Sequence, residues 1–358
     1  MPVTSQTQTL VNLGWSDFFQ TQLSSDELEQ KDLMSLVPMH ITKVHRVRLH
    51  AEAEDGNHVI MPTKNQNAAH FAVGDWILVN PVSDQILRRL ERENILQRLN
   101  LKSENQTQLI AANIDTLFIV SSCNVDFKIE WIDRFLAMAS EAGVTPVIIL
   151  TKADSTTDPD RWVQQAKKLS PDLAVEALNT HDPAQVRRLD KWCLPGQNVA
   201  MAGSSGVGKS TLLNALCNLD TATGQIRESD AQGRHTTTAR SLHQTTSGGW
   251  LLDTPGIRVL HLYDAEEAIG HLFNDITKLT KSCHFRDCNH VDQPNCAVIA
   301  ALSDGTLDQS RFKRWNKLRR SSNLGADTPI EAPLTWQEQR RIAKAIKQDQ
   351  IRLTRRKK

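Results

Sequence analysis

Strands alternate with helices through the middle of the chain, short closely spaced strands precede them, and a cysteine-rich, basic stretch follows. Together these three features predict a multidomain α/β protein. The expected parts are a small β-barrel, a doubly wound α/β domain with motif loops in an unusual order, and a metal-binding module that runs into a helical tail. At 358 residues, with 39% hydrophobic and 23% charged side chains, the chain can bury one sizeable core and carry two smaller modules beside it. No apolar run is long enough to cross a bilayer, and the first ten residues lack the basic and apolar regions of an export signal. The expectation is a cytoplasmic chain with no membrane partner, most simply a monomer.

Taken in order, residues 1–36 are largely polar, with Trp15, Phe18 and Phe19 as their bulky group, and read as an extension that either docks or stays mobile. Residues 37–107 carry alternating runs at 41–50, 58–61, 76–79 and 86–90, punctuated by Glu54, Asp55 and Gly56, by Gly74 and Asp75, and by Pro81. That spacing and length suit an OB-fold barrel. Such a barrel either binds RNA or only packs on its neighbour, and the region has few aromatic residues for base stacking.

Residues 108–275 read differently. The continuous β-branched runs 116–120 and 146–150 suit parallel strands buried on both faces, and the helix-period stretch 129–142 lies between them. Residues 199–202 and 250–252 read as further strands. In sheets of this kind ligands sit at the carboxyl ends of the strands, and each motif below lies at such an end.

The strongest motif is Gly203, Ser204, Ser205, Gly206, Val207, Gly208, Lys209, Ser210 and Thr211, which opens the helical pattern 210–217. Its glycines let backbone N–H groups converge on phosphates at a helix N-terminus, Lys209 reaches the β- and γ-phosphates, and Ser210 ligates magnesium. Asp253, followed by Thr254, Pro255 and Gly256, ends a strand where a carboxylate holds the magnesium shell and the Gly256 N–H approaches the γ-phosphate. Read alone it is a plain turn. Paired with the phosphate loop it marks a GTPase.

Guanine selection needs a carboxylate, and Asp154 is the candidate, with Lys152 lying along the base and Thr151 where asparagine is usual. The plainer reading is a lysine and an aspartate ending an ordinary strand. This motif precedes the other two, whereas in ordinary GTPases it comes last. The order is that of a circular permutation, which leads the segment after Gly256 straight into the C-terminal module. Between phosphate loop and Asp253 lie Gly233, Arg234, His235, Thr236, Thr237 and Thr238, a switch-like stretch in which Thr237 is the candidate to offer magnesium a hydroxyl. Ile257 occupies the place where many GTPases orient water with glutamine, so slow intrinsic turnover is expected. His235 is then either the water-positioning group or an exposed loop histidine.

Of six cysteines, Cys283, Cys288 and Cys296 cluster around His290. Three thiolates and one imidazole suit a closed tetrahedral zinc site, and a set of buried free thiols is the bland alternative. Net charge is +1, yet Arg340, Arg341, Lys344, Lys347, Arg352, Arg355, Arg356, Lys357 and Lys358 crowd the end, with Ile342, Ala345 and Ile346 on one side of a possible helix. This tail is a candidate polyanion contact or a solvated helix.

The permuted order, the run Ala111, Ala112, Asn113, Ile114 and Asp115, the 233–238 stretch, Asp253 to Gly256, and the Cys/His cluster followed by Ala297 and Val298 together resemble the RsgA (YjeQ) family. The resemblance covers roughly residues 38 to 320. It implies an OB-fold, a permuted GTPase (108–275) and a zinc-binding domain (276–358) that together bind the small ribosomal subunit and its rRNA late in maturation. It also implies Mg2+-dependent hydrolysis of GTP to GDP, stimulated by that subunit. Two other readings stay open from residues alone: a GTPase of another RNA–protein assembly, and an RNA-binding factor with a relic nucleotide site.

Overall fold

The computed structural model describes residues 9–24, 27, 36–63, 66–100, 106–170, 172–219, 241–253, 265–291 and 293–323. His235, Thr237, Gly256 and the basic tail lie outside them. Five antiparallel strands come first: β1 (Val37–Val44), β2 (Leu49–Ala53), β3 (Gly56–Ile60), β4 (Trp76–Asn80) and β5 (Gln85–Arg89). β1 pairs with β2 and β4, β2 with β3, and β4 with β5. The run 41–50 is two strands rather than one, because four polar-flanked residues turn the chain and the His45 N–H donates to Arg48 O at 2.9 Å. Alternation along β4 sends Ile77 and Val79 into the interior of these strands with Met39, Ile41, Leu49 and Ile86. Trp76 and Leu78 face the other way, into the large core of the molecule.

The described part of the N-terminal extension is docked. Leu13 and Phe19 are fully buried, and Trp15 packs edge-on against Trp76 at 4.9 Å. A hairpin, β6 (Ile95–Asn100) and β7 (Gln106–Ala112), follows β5, so the expected boundary at 107 falls inside a strand.

The central sheet contains β8 (Thr116–Ser122), β9 (Thr145–Thr151), β10 (Ala174–Ala177), β11 (Asn198–Ala202), β12 (Ser241–Gln244) and β13 (Trp250–Asp253). Its spatial order is β10-β9-β8-β11-β13-β12, parallel throughout except for β12. Leu117 and Ile119 point to one core with Ile148 and Ala200, while Phe118 and Val120 point to a second with Ile149 and Met201. Two-faced burial is what the β-branched runs demand. Helix α1 (Ile129–Ala142) covers the first face with Ile132, Phe135 and Leu136. After the short α2 (Asp160–Lys167), helix α3 (Lys209–Cys217) covers the second with Leu212, Leu213 and Leu216.

The chain builds the sheet outward from β8 to β10, returns to the middle at β11, and then builds toward β12. Neighbouring β8 and β11 therefore send their connections to opposite faces, which opens a crevice at their carboxyl ends. Asn113 and Asp115 secure the other end. The Asn113 Nδ2 donates to Gly74 O at 2.8 Å, its carbonyl accepts from Asn198 Nδ2 at 3.0 Å, and Asp115 Oδ2 accepts from the Asn198 N–H at 2.7 Å. β1 also pairs with β12 through Lys43 and Ser241, so the N-terminal strands and the central sheet form one continuous sheet.

Four helices end the described chain: α4 (Ala265–Leu272), α5 (Asn274–Lys281), α6 (Ala297–Ser303) and α7 (Gln309–Asn323). Ala268, Phe273, Ile276, Val298, Phe312 and Trp315 form their core, which also takes in Ala137 of α1. A buried bidentate pair, Arg314 with Asp133 at 2.6 and 2.7 Å, ties α7 to α1. Burial raises the Asp133 carboxyl against the lowering effect of that guanidinium. No helix among the described residues is long and apolar enough to cross a membrane.

Candidate nucleotide site and metal cluster

β11 is buried along its whole length and ends at Ala202, and the phosphate loop begins at Gly203. A side chain at Gly203 would put its Cβ 2.2 Å from the Val120 carbonyl oxygen, so only glycine lets the loop leave the sheet this close to β8. Gly208 takes a left-handed φ of 95° and caps α3 without a side-chain hydrogen bond. A helix N-terminus preceded by such a loop suits an anion. The Lys209 ammonium stands over the loop and donates to Gly203 O at 2.7 Å and Ser204 O at 2.6 Å. Ser204, Ser210 and Thr211 are partly exposed, Ser205 and Gly206 are exposed, and Val207 is buried beneath the loop. The loop thus presents backbone, one cation and hydroxyls to solvent while its apolar residue anchors it.

β9 delivers the expected base-reading residues to the same end of the sheet. Thr151 is fully buried, and its Oγ1 stands 2.5 Å from Val207 O and 3.0 Å from Ser121 O. Its hydroxyl is therefore engaged in tying β8, β9 and the phosphate loop together. Lys152, in the left-handed region at φ 57°, turns the chain so that Asp154 is exposed. The Lys152 Nζ lies 3.8 Å from Asp126 in the loop after β8. The segment after β10 lies alongside: the Ala153 N–H donates to Leu178 O at 3.4 Å, and Asn179 accepts from the His181 N–H. Asp253 ends β13 in register with Met201 of β11, next to the phosphate loop. Lys209, Asp154 and Asp253 are far apart in sequence and stand at one end of the sheet.

Sequence reasoning missed β12, a four-residue strand with a single apolar residue, Leu242, and so too short to show a period. It also missed Asp126, which no motif marks, and the structural work of Asn113 and Asp115, visible beforehand only as part of a family pattern.

The four metal-ligand candidates come together. Cys283 Sγ lies 3.8 Å from Cys296 Sγ and 3.6 Å from His290 Nδ1, Cys296 Sγ lies 3.5 Å from the same nitrogen, and Cys288 completes a group within 4.8 Å. Bonds of about 2.3 Å to sulfur and 2.0–2.1 Å to nitrogen in a tetrahedron give edges of about 3.8 Å between sulfurs and 3.5 Å from sulfur to nitrogen. The residues present therefore fit one tetrahedral ion. His290 and Asn295 both take left-handed backbone, at φ 60° and 58°, which turns the loop in on itself. His290 is buried against Trp315 of α7, 5.7 Å between rings, so the cluster is seated on the helical core.

A phosphate loop, a candidate base-reading loop and a carboxylate on β13, set on a parallel sheet whose chain order starts beyond its own phosphate loop, point to a circularly permuted P-loop GTPase. The family model for the RsgA GTPase matches residues 89–263. A small ribosomal subunit biogenesis GTPase RsgA of Mesorhizobium japonicum is 48% identical over 334 residues, 92% of this chain and 94% of that protein. RsgA 2 of Vibrio vulnificus is 42% identical over 91% of this chain and 92% of its own. Among solved structures, YjeQ from Thermotoga maritima superposes with a TM-score of 0.60 at 26% identity, covering 81% of this chain and 99% of its own. YloQ, a circularly permuted GTPase, gives 0.58 at 25%, covering 82% and 97%. The chain belongs to the RsgA GTPase family and is a GTP hydrolase.

Proposed function

We propose that this GTPase binds the small ribosomal subunit through its rRNA, assists a late step of that subunit's maturation, and hydrolyses GTP faster when bound to it. The observation that carries this reading is identity of 48% across nearly the whole length of a relative named for small-subunit biogenesis. The N-terminal strands support it. Pairing of β1 with β2 and β4, β2 with β3 and β4 with β5 is compatible with an OB-type arrangement, and the β1–β2 hairpin concentrates Lys43, His45, Arg46, Arg48 and His50. Burial and then the neighbouring cations Lys43 and Arg48 push His45 below its ordinary value, as expected in a positive patch. Phosphates are the natural counter-charge for such a hairpin. The tail 340–358 would add sequence-independent contacts of the same kind.

In this reading the strands from residue 37 form the OB-fold, the permuted GTPase domain follows the β6–β7 hairpin and runs to about 275, and 276–358 is the zinc-binding domain with its tail, all in a cytoplasmic monomer. Gly203 to Thr211 hold the phosphates, Lys209 neutralises the developing charge, and Asp154 with Lys152 reads guanine while Thr151 sets their position. Ser210, Thr237 and Asp253 would hold magnesium, which supplies charge neutralisation between the β- and γ-phosphates. Cys283, Cys288, His290 and Cys296 would hold one structural zinc, with no open position for catalysis. His235 orients the attacking water in place of the glutamine that Ile257 displaces. GTP turnover measured with and without purified small subunits tests the proposal. Acceleration by small subunits and none by large subunits is expected, and equal rates in all three conditions overturn it.

A further inference from the structure

Three strands bring one residue each into a single row at the nucleotide end of the sheet. Lys43 of β1 stands opposite Ser241 of β12, and Ser241 stands opposite Asp253 of β13. Directly opposed residues of antiparallel strands put their side chains on the same face, so Lys43, Ser241 and Asp253 share it. All three are partly buried. His243, two residues along β12 and hence on that face too, reaches back to the row with Nε2 2.9 Å from Ser241 Oγ. Burial lowers its ionisation, and it senses the Asp253 carboxylate and the Lys43 ammonium with opposite sign, as a group lying between the two would.

Lys43 is therefore in an unusual position for a residue of the N-terminal strands. It sits where those strands join the nucleotide sheet, and it leads directly into the basic hairpin at residues 45–48. We infer that Lys43 is a positioning residue of the nucleotide site: its ammonium, carried in on β1, sets the potential at Asp253 and so the affinity of that carboxylate for a divalent cation. The inference rests on Asp253 being a magnesium-shell carboxylate. Two strand spacings separate the ends of the row by about 10 Å. At that distance a unit charge weakens binding of a divalent cation by about fourfold at water's dielectric constant, and by more where the path is partly buried. A polyanion seated on the adjacent hairpin neutralises Lys43 and relieves that repulsion, which connects RNA contact to the nucleotide site without any movement of the strands.

The test uses the full chain bound to GDP, with Mn2+ as a paramagnetic probe of the divalent site, at low ionic strength. Lys43→Ala should bind Mn2+ threefold or more tightly than the parent, Lys43→Glu more tightly still, and Lys43→Arg like the parent. A purely structural lysine predicts weaker or unchanged binding in the first two. Parent-like Mn2+ affinity in Lys43→Glu, together with weakened affinity in Asp253→Asn, overturns the proposal. Parent-like affinity in Asp253→Asn instead removes its premise, so the two failures are told apart by which variant is silent.

Discussion

The metal cluster and the nucleotide site are built in opposite ways. The four candidate ligands of the cluster lie between residues 283 and 296, and two left-handed residues help fold that loop inward. The candidate nucleotide site takes Asp154, Lys209 and Asp253 from the carboxyl ends of β9, β11 and β13, and none of them is in place until β8, β9, β11 and β13 are paired in order. A local site is held by the group it binds. A distributed site is held by the sheet, which positions its residues for chemistry. Breaking each should therefore have different consequences.

Cys288→Ser should produce the largest effect, complete loss of bound zinc from one atom per chain. Structural zinc contributes about 10–16 kcal/mol of apparent binding energy in small modules, more than the loop can replace by packing. Metal analysis and the near-ultraviolet signal of Trp315 should both report it, while GTP binding persists. Loss of GTP binding in that variant would merge the two sites into one cooperative unit.

Lys209→Ala tests the reverse. Turnover should fall by about a hundredfold or more, since a charge that acts on the transition state is gone, and zinc content should stay at one. Undiminished hydrolysis would remove the phosphate-loop assignment.

Arg314→Ala attacks the link between the two regions. It leaves the Asp133 carboxylate buried without its partner, and a broken buried pair costs about 3–5 kcal/mol. Thermal unfolding should show that loss, with zinc content and basal turnover below the transition unchanged. A shift in melting no larger than that of an exposed ion pair would mean that α7 is not fixed to α1 by this contact.

The smallest effect concerns the join between β1 and the central sheet. His40 is fully buried, stacked on Trp76 at 5.0 Å, and burial pushes its imidazole down to about 3. Its folded value lies below the ordinary value of 6.5, so the unfolded chain binds the proton first. Stability is then complete above that ordinary value and falls as the pH drops toward 3. By about pH 5 the loss amounts to about 2 kcal/mol. Denaturant unfolding of the parent and of His40→Phe at neutral and acid pH should show the parent losing more, and parallel losses would exonerate His40.

Much of this was written in the sequence. The phosphate loop, Asp253 and the Cys/His spacing were legible because each chemistry demands particular residue types at short separations, and the parallel strands were legible because two-faced burial leaves continuous β-branched runs. The permutation could be read from motif order alone. Thr151 shows the limit. In the sequence it is a departure from asparagine, and only the fold turns it into a buried tie between Val207 and Ser121.

Asn113, Asp115 and Lys43 are similar cases. Each is bonded to or stands opposite a residue far away in the chain, at Gly74, Asn198 and Ser241 respectively, and neither spacing nor periodicity encodes such a partner. The sequence by itself determined which residues can do chemistry, because side-chain chemistry and local backbone geometry are properties of the chain. The tertiary structure alone decided which of them meet, because strand order and register between distant segments are set by how the whole apolar surface is buried at once.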